Sequence, residues 1–395
     1  MAHPIKVLFL HATREDANEY TVHRRLAKNV DPNLVETYFI WQRSTVDFES
    51  QKEKLALPES RAFFFDFGRD QEIIPQPSKW KRGLMVLRRY PASLLFSLRK
   101  IREIKPDVIY TTQQRHEVFL ASLLSLLTGV QHIIHVCYFI GPWLGRFVFW
   151  RLKNNKHIFS SCDFVRQTGL DVGVKSENIE TMHHMIDFEK YNVPHDRAWL
   201  RNEFGLAPDT PIITSAARLD KDKGFVRLVK AFAKVKQNKP EARLLICGLP
   251  SPGTDHDVLI RQTVTDLNLE NEVVFAGYRD DLPRIFAASD IFSQPIKYDA
   301  SSLVILGAMV TGIPVVSSLS GSVPEVVVHQ ETGLLSEPDD IDGLANDLLT
   351  ILEDKALAAK MGAAGRERAL KHFGPDVISG EWARKLARRI GKREV

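Results

Sequence analysis

Short apolar runs alternate with amphipathic stretches along the chain. The runs begin at Lys6, Thr37, Ala62, Asp107, His132, His157 and Ile179, and they resume at Pro211, Arg243, Glu272, Ile291, Pro314 and Gly333. Between them apolar residues recur at helical spacing, as in Val226, Leu228, Val229, Phe232 and Val235. Brief apolar strands separated by helices build parallel sheets covered on both faces. The alternation weakens between Phe188 and Ala207, where Pro194 and Asp196 interrupt it, with Pro208 just beyond. The pattern predicts an α/β protein of two Rossmann-like domains with an inter-domain cleft. The first covers residues 1–187, the second covers 199–375, and a last helix over 376–395 returns to the first.

Composition narrows the partners. A chain of 395 residues exceeds one ordinary α/β domain. The net charge, 53 − 49 = +4, is too small to argue for nucleic acid. Cys137, Cys162 and Cys247 are odd in number and widely spaced, so neither a disulfide framework nor a zinc site is expected, and a cytoplasmic location is. The opening apolar run is too short for a signal peptide. The stretch 133–150 is broken by His135, Gly141, Pro142, Gly145 and Arg146, so no membrane span is expected.

Charge is concentrated between Lys79 and Lys105, where nine basic residues face Glu103 alone, a local +8. Trp80, Leu84, Leu87, Leu94, Leu95 and Phe96 are interleaved with them, and Trp143, Phe147, Phe149 and Trp150 follow with Arg146 and Arg151. Such a segment suits either a peripheral seat on an anionic membrane surface or a helix with a solvated basic face.

Two stretches carry the candidate chemistry. The first runs Arg218-Leu219-Asp220-Lys221-Asp222-Lys223-Gly224 between a strand and a helix. A loop at the carboxyl end of a parallel strand is where ligands bind, and Arg218 and Lys223 can hold a diphosphate there without a metal. The second is Asp299-Ala300-Ser301-Ser302-Leu303, running into an apolar helix. Small serines there leave backbone N–H groups open to phosphate, and Asp299 either accepts from sugar hydroxyls or caps the helix. Two Asp-x-Asp triplets, at Asp220 and Asp255, read as surface charge, and no Gly-x-Gly-x-x-Gly dinucleotide fingerprint is present.

These stretches, followed by Gly312-Ile313-Pro314, Pro324-Glu325 and Thr332-Gly333-Leu334-Leu335, resemble the retaining glycosyltransferases of family 4, which have the GT-B fold. The resemblance spans roughly residues 211–375. It implies Arg218 and Lys223 on the donor diphosphate, Gly248 in the donor loop, and Tyr278 and Arg279 near the base. It also implies Asp299 on the sugar, and the backbone of Ser301, Ser302 and Leu303 on sugar and phosphate. The family's paired glutamates, seven residues apart, fall on Asp299 and Gly307, so the carboxylate that holds the ribose is missing. Weak donor affinity is therefore expected, with Gly307→Glu tightening uridine diphosphate (UDP) binding. In the first half, Thr13 to Glu19 replaces the family's paired glycines, and His135 is the candidate to face the transferred sugar, although strict spacing falls on Cys137. The expected activity is metal-independent, cofactor-free transfer of a hexose, with retention, from a UDP-hexose such as UDP-glucose to a glycan or lipid-linked hydroxyl. The alternatives are a GT-B sugar-nucleotide epimerase and an inactive scaffold at a membrane.

Overall fold

The structure is a computed structural model that describes residues 3–12, 18–43, 48–55, 57–67, 79–251 and 253–392. The chain divides into two compact units, Met1–Met185 with Pro375–Val395, and Ile186–Gly374.

The first unit is a parallel sheet of β1 (Ile5–His11), β2 (Val35–Gln42), β3 (Ala62–Phe65), β4 (Val108–Thr112), β5 (Gln131–Val136), β6 (Ile158–Ser160) and β7 (Ile179–Thr181), ordered β3-β2-β1-β4-β5-β6-β7. The second is built from β8 (Ile212–Ala216), β9 (Arg243–Cys247), β10 (Val273–Gly277), β11 (Ile291–Gln294), β12 (Val315–Ser318) and β13 (Gly333–Ser336), ordered β10-β9-β8-β11-β12-β13. Each strand starts within two residues of its predicted position. The central strands β4 (Val-Ile-Tyr-Thr-Thr) and β8 (Ile-Ile-Thr-Ser-Ala) are buried at every residue and carry only apolar and small hydroxyl side chains, without a charge. The helix Pro375–Arg389 belongs to the first unit, where Trp382 stacks on Phe9 and Ser379 Oγ donates to the Asn29 carbonyl at 3.0 Å.

Both sheets reverse strand order once, between β1 and β4 and between β8 and β11. Chains leaving two such neighbours depart in opposite directions, which opens a crevice at the carboxyl edge. A carboxylate ties each pair of central strands together, fully buried in the first unit and partly buried in the second. In the first unit Glu117 Oε1 accepts from Ala12 N–H at 3.0 Å and Oε2 from Thr112 N–H at 3.2 Å, while the Tyr20 and Thr112 hydroxyls also donate to it. Burial pushes this carboxyl up to about 7 against those four hydrogen bonds, which favour the charged form. In the second unit Asp290, just before β11, accepts from Ile212 N–H at the start of β8 (2.8 Å) and from the Arg201 guanidinium (2.7 Å). The Arg201 side chain is 1% exposed and also donates to the Ala288 carbonyl.

Removing Asp290 leaves a buried guanidinium without its counter-charge. Asp290→Ala is expected to lower the unfolding free energy in urea by about 3 kcal/mol, because breaking one side of a buried pair strands the other. A loss below about 1 kcal/mol would show that water replaces the carboxylate and that the pair does not hold β8 to β11.

Candidate functional site

In the second unit the loops after β8 and β11 flank the point where strand order reverses, and these are the two stretches singled out by their chemistry. Two glycines let the loop backbones touch. Gly224 has φ +79°, and a Cβ there would lie 1.8 Å from the Pro295 carbonyl oxygen. At Gly248, φ is +144° and a Cβ would lie 1.8 Å from the Ala217 carbonyl oxygen. The Lys297 N–H donates to the Asp222 carbonyl at 3.1 Å, and Arg227 donates to that of Pro295 at 2.6 Å.

This framework brings Lys223 to Asp299, with Nζ 3.4 Å from Oδ1. The other carboxylate oxygen of Asp299 faces its own loop. It accepts from the N–H groups of Ser302 and Ser301 and from the hydroxyls of Ser302 (2.8 Å) and Ser322 (3.2 Å). The serine N–H groups are thus covered by a carboxylate, where the sequence suggested that small side chains would leave them open. Asp299 thus folds its carboxylate back onto the backbone of its own loop, two and three residues on, ahead of the helix that begins at Leu303. Leu303 opens the helix Leu303–Val310, whose first-turn N–H groups have no helical acceptor.

Arg218 lies beside this pair of loops, its side chain 70% exposed, with Asp220 at 3.3 Å and Ser251 Oγ at 3.0 Å. Asp257 of the second acidic triplet pairs with Arg261 at 3.5 Å. Tyr278 and Arg279 follow β10, the edge strand, and stand apart from the reversal point. Tyr278 is exposed, whereas Arg279 is held by Glu203 and by Asp281 at 2.7 Å.

Gly307 is not an open position. It is buried, and a Cβ on it would lie 2.6 Å from the Tyr191 hydroxyl and ring edge. The tyrosine occupies the space that a side chain at 307 would need, which is the packing reason for a glycine inside this helix. A glutamate there must first displace the ring, so the expected gain from Gly307→Glu does not follow.

In the first unit His135 is wholly buried on β5, so it offers no surface to a sugar. Its Nδ1 lies 3.1 Å from His23 Nε2, and His23 Nδ1 lies 2.8 Å from His11 Nε2. Burial first, then Arg24 beside His11 and the neighbouring imidazoles beside His23 and His135, holds all three well below the ordinary histidine range. Cys137 and His184 lie beside His135. Sequence reasoning missed this chain because its histidines come from four distant segments and share no local spacing. Thr13 to Ala17 lie outside the described residues.

The side chains of residues 79–87, with Lys79, Lys81 and Arg82, also lie outside the described residues. Further along the same helix (Lys79–Ile104), Arg88, Arg99 and Arg102 are exposed while Phe96 stacks on Phe65 at 4.7 Å. Exposed Phe119, Phe147 and Trp150 sit on the next two α-helices, Arg115–Thr128 and Arg146–Asn154, with exposed Tyr138 and Trp143 in the segment between them. There Phe119 meets Phe147 at 5.0 Å, Phe147 meets Trp150 at 6.0 Å, and Trp150 is 58% exposed. No helix among the described residues is long and apolar enough to cross a membrane.

Comparison with known proteins bears on both units. Over 97% of its length the chain superimposes on 99% of Anabaena Alr3699/HepE, solved in complex with UDP and glucose, with a TM-score of 0.77 and 22% identity. A glycosyltransferase from Rickettsia africae superimposes over the full length of both chains with a TM-score of 0.79 and 16% identity. These likenesses show the fold. Among curated proteins, N-acetyl-alpha-D-glucosaminyl L-malate synthase of Bacillus anthracis is 30% identical over 207 residues, 52% of this chain and 53% of the relative. A GDP-mannose-dependent monoacylated alpha-(1-6)-phosphatidylinositol monomannoside mannosyltransferase of Corynebacterium glutamicum is 32% identical over 200 residues, 47% of this chain and 51% of the relative. The chain thus spans about half the length of the curated relatives it matches. Residues 196–368 match the family described as Glycosyl transferases group 1. The second unit therefore carries a glycosyl transferases group 1 domain, in a chain with the GT-B fold.

Proposed function

We propose that the protein is a retaining glycosyltransferase that moves a hexose from a UDP-sugar, UDP-glucose foremost, to a hydroxyl of a glycan or lipid-linked glycan. The observation that carries this reading is the meeting of Lys223 and Asp299 at the strand-order reversal, beside a helix start and within one loop of Arg218. In the free protein the lysine and the serine N–H groups are occupied by one carboxylate. A donor diphosphate offers the same groups a stronger anion, and its arrival frees Asp299 to accept from the sugar hydroxyls.

The reaction breaks the bond from the anomeric carbon to the phosphate oxygen and forms one to the acceptor oxygen on the same face. The acceptor proton passes to the departing diphosphate, whose growing charge Arg218 and Lys223 stabilise without a metal. In this reading the Tyr191 hydroxyl meets the nucleotide ribose where the family's second carboxylate is missing. A guanosine donor is the second reading, favoured by the GDP-mannose dependence in the name of the Corynebacterium relative. The protein would work on the cytoplasmic face of a membrane, held there by exposed Phe119, Phe147 and Trp150 with the basic residues around them.

Replacing Lys223 or Arg218 with Ala should cost roughly 2–4 kcal/mol of transition-state stabilisation, about 30- to 1,000-fold in kcat/KM. Wild-type turnover in Lys223→Ala would remove these residues from the reaction. Calorimetric titration with UDP, UDP-glucose and GDP-mannose should show binding of the uridine compounds. GDP preference would transfer the base assignment, and silence from all three would favour a scaffold.

Tyr191→Phe should weaken UDP binding by roughly 2- to 10-fold, the size of one neutral hydrogen bond. Gly307→Glu should bring no gain, because it displaces the ring; an unchanged Tyr191→Phe with a tighter Gly307→Glu would reverse this assignment.

The protein should cosediment with anionic vesicles at low salt, weakly with neutral ones, and less after Trp150→Ala. Equal binding to both vesicle types, or none, would leave the aromatic face without this role.

A further inference from the structure

We propose that His135, Cys137 and His184 form a binding site for a soft divalent cation, zinc by its chemistry, within the first unit. The ligating atoms of the three side chains all lie within 4.8 Å of one another, and all three residues are buried. A tetrahedral zinc takes imidazole nitrogen at about 2.0–2.1 Å and thiolate sulfur at about 2.3 Å, which sets ligand atoms roughly 3.3–3.6 Å apart. Small side-chain rotations close the difference. Two nitrogens and a sulfur suit zinc and are poor ligands for magnesium or calcium, which take oxygen.

The surroundings of His135 carry the argument further. Its Nδ1 is taken by His23, which leaves Nε2 as the atom available to a ligand. That Nε2 is enclosed and finds no hydrogen-bond partner among the described residues. A buried polar atom without a partner is costly, and a cation supplies the partner. The tautomers agree with this. If Nε2 binds a cation, Nδ1 carries the proton and donates it to His23 Nε2. His23 then donates from Nδ1 to His11 Nε2, and the proton of His11 falls on its own Nδ1, which has no hydrogen-bond acceptor among the described residues and carries the cost at the far end of the relay. Such a hydrogen-bonded relay fixes a ligating imidazole, as outer partners do at zinc centres.

β5 and the residue after it present His135 and Cys137 two positions apart, and His184 enters from the segment that follows β7. On binding, the Cys137 thiol gives its proton to solvent and the thiolate joins the cation, with no change of oxidation state. Three protein ligands leave a fourth position for water or a small ligand. All three belong to the first unit, so the site stands or falls apart from the donor reading, and it takes no part in the metal-independent step described above.

The test uses the full chain, reduced and stripped of metal, titrated with Co²⁺ and then Zn²⁺. One cobalt per chain should bind with a thiolate-to-cobalt charge-transfer band and tetrahedral d–d bands, and zinc should displace it. Cys137→Ser should abolish the charge-transfer band, and His184→Ala should cut zinc affinity at least as far as loss of an outer partner does. His23→Gln, a change at a positioning residue, should keep the band and weaken zinc by about 10- to 100-fold. X-ray absorption on zinc-loaded wild type, which does not depend on any variant folding, should show one sulfur and at least two nitrogen neighbours. A wild type without the band, a zinc shell without sulfur, or zinc affinity unchanged in Cys137→Ser would overturn the proposal.

Discussion

A parallel sheet that reverses its strand order has to hold two neighbouring strands together while the chains leaving them part to opposite sides. In this protein carboxylates meet that constraint, buried Glu117 between β1 and β4 and partly buried Asp290 between β8 and β11. The clamps act at opposite ends. Glu117 binds backbone at the carboxyl edge of its sheet. Asp290 binds at the amino edge and leaves the carboxyl edge of the second sheet to its loops.

Once the strands are fixed, close backbone approach shapes the second crevice. Gly224, Gly248 and Gly321 each stand where a Cβ would meet a neighbouring backbone atom, Gly321 against Asp299 itself at 2.6 Å. The loops carry little freedom of their own, so Lys223 and Asp299 are placed by backbone contacts rather than by their own attraction. Their ion pair is partly exposed and contributes modestly to stability. Under the proposed function its value lies in exchange, because a phosphorylated sugar offers each member of the pair a better partner.

The strands were legible because parallel strands are buried on both faces and leave apolar runs, and the two loops because polar clusters follow such runs directly. Contacts made across sequence distance were not. Nothing local ties Tyr191 to Gly307, yet the ring is the reason for the glycine. That the N–H groups of Ser301 and Ser302 are taken by Asp299 could not be read either, because the local pattern does not say which way the carboxylate turns. His135 drew notice as a single strand residue, while its partners His11, His23 and His184 arrive through tertiary packing. The grouping of His135, Cys137 and His184 could not be read from the cysteine spacing, since spacing registers only residues that are neighbours in sequence. The basic segment and the aromatics after it could be read from composition alone, but which side chains face outward could not: Phe96 packs on Phe65 while Leu95 on the same helix and Trp150 further on are exposed.

Hydrogen–deuterium exchange of the full chain with and without UDP tests the central claim most directly, because it reads backbone amides one loop at a time. The account predicts protection in the loops over residues 217–224 and 299–304, with little change in the β10 loop beyond Tyr278. Saturating UDP that protects neither of those two loops would contradict it.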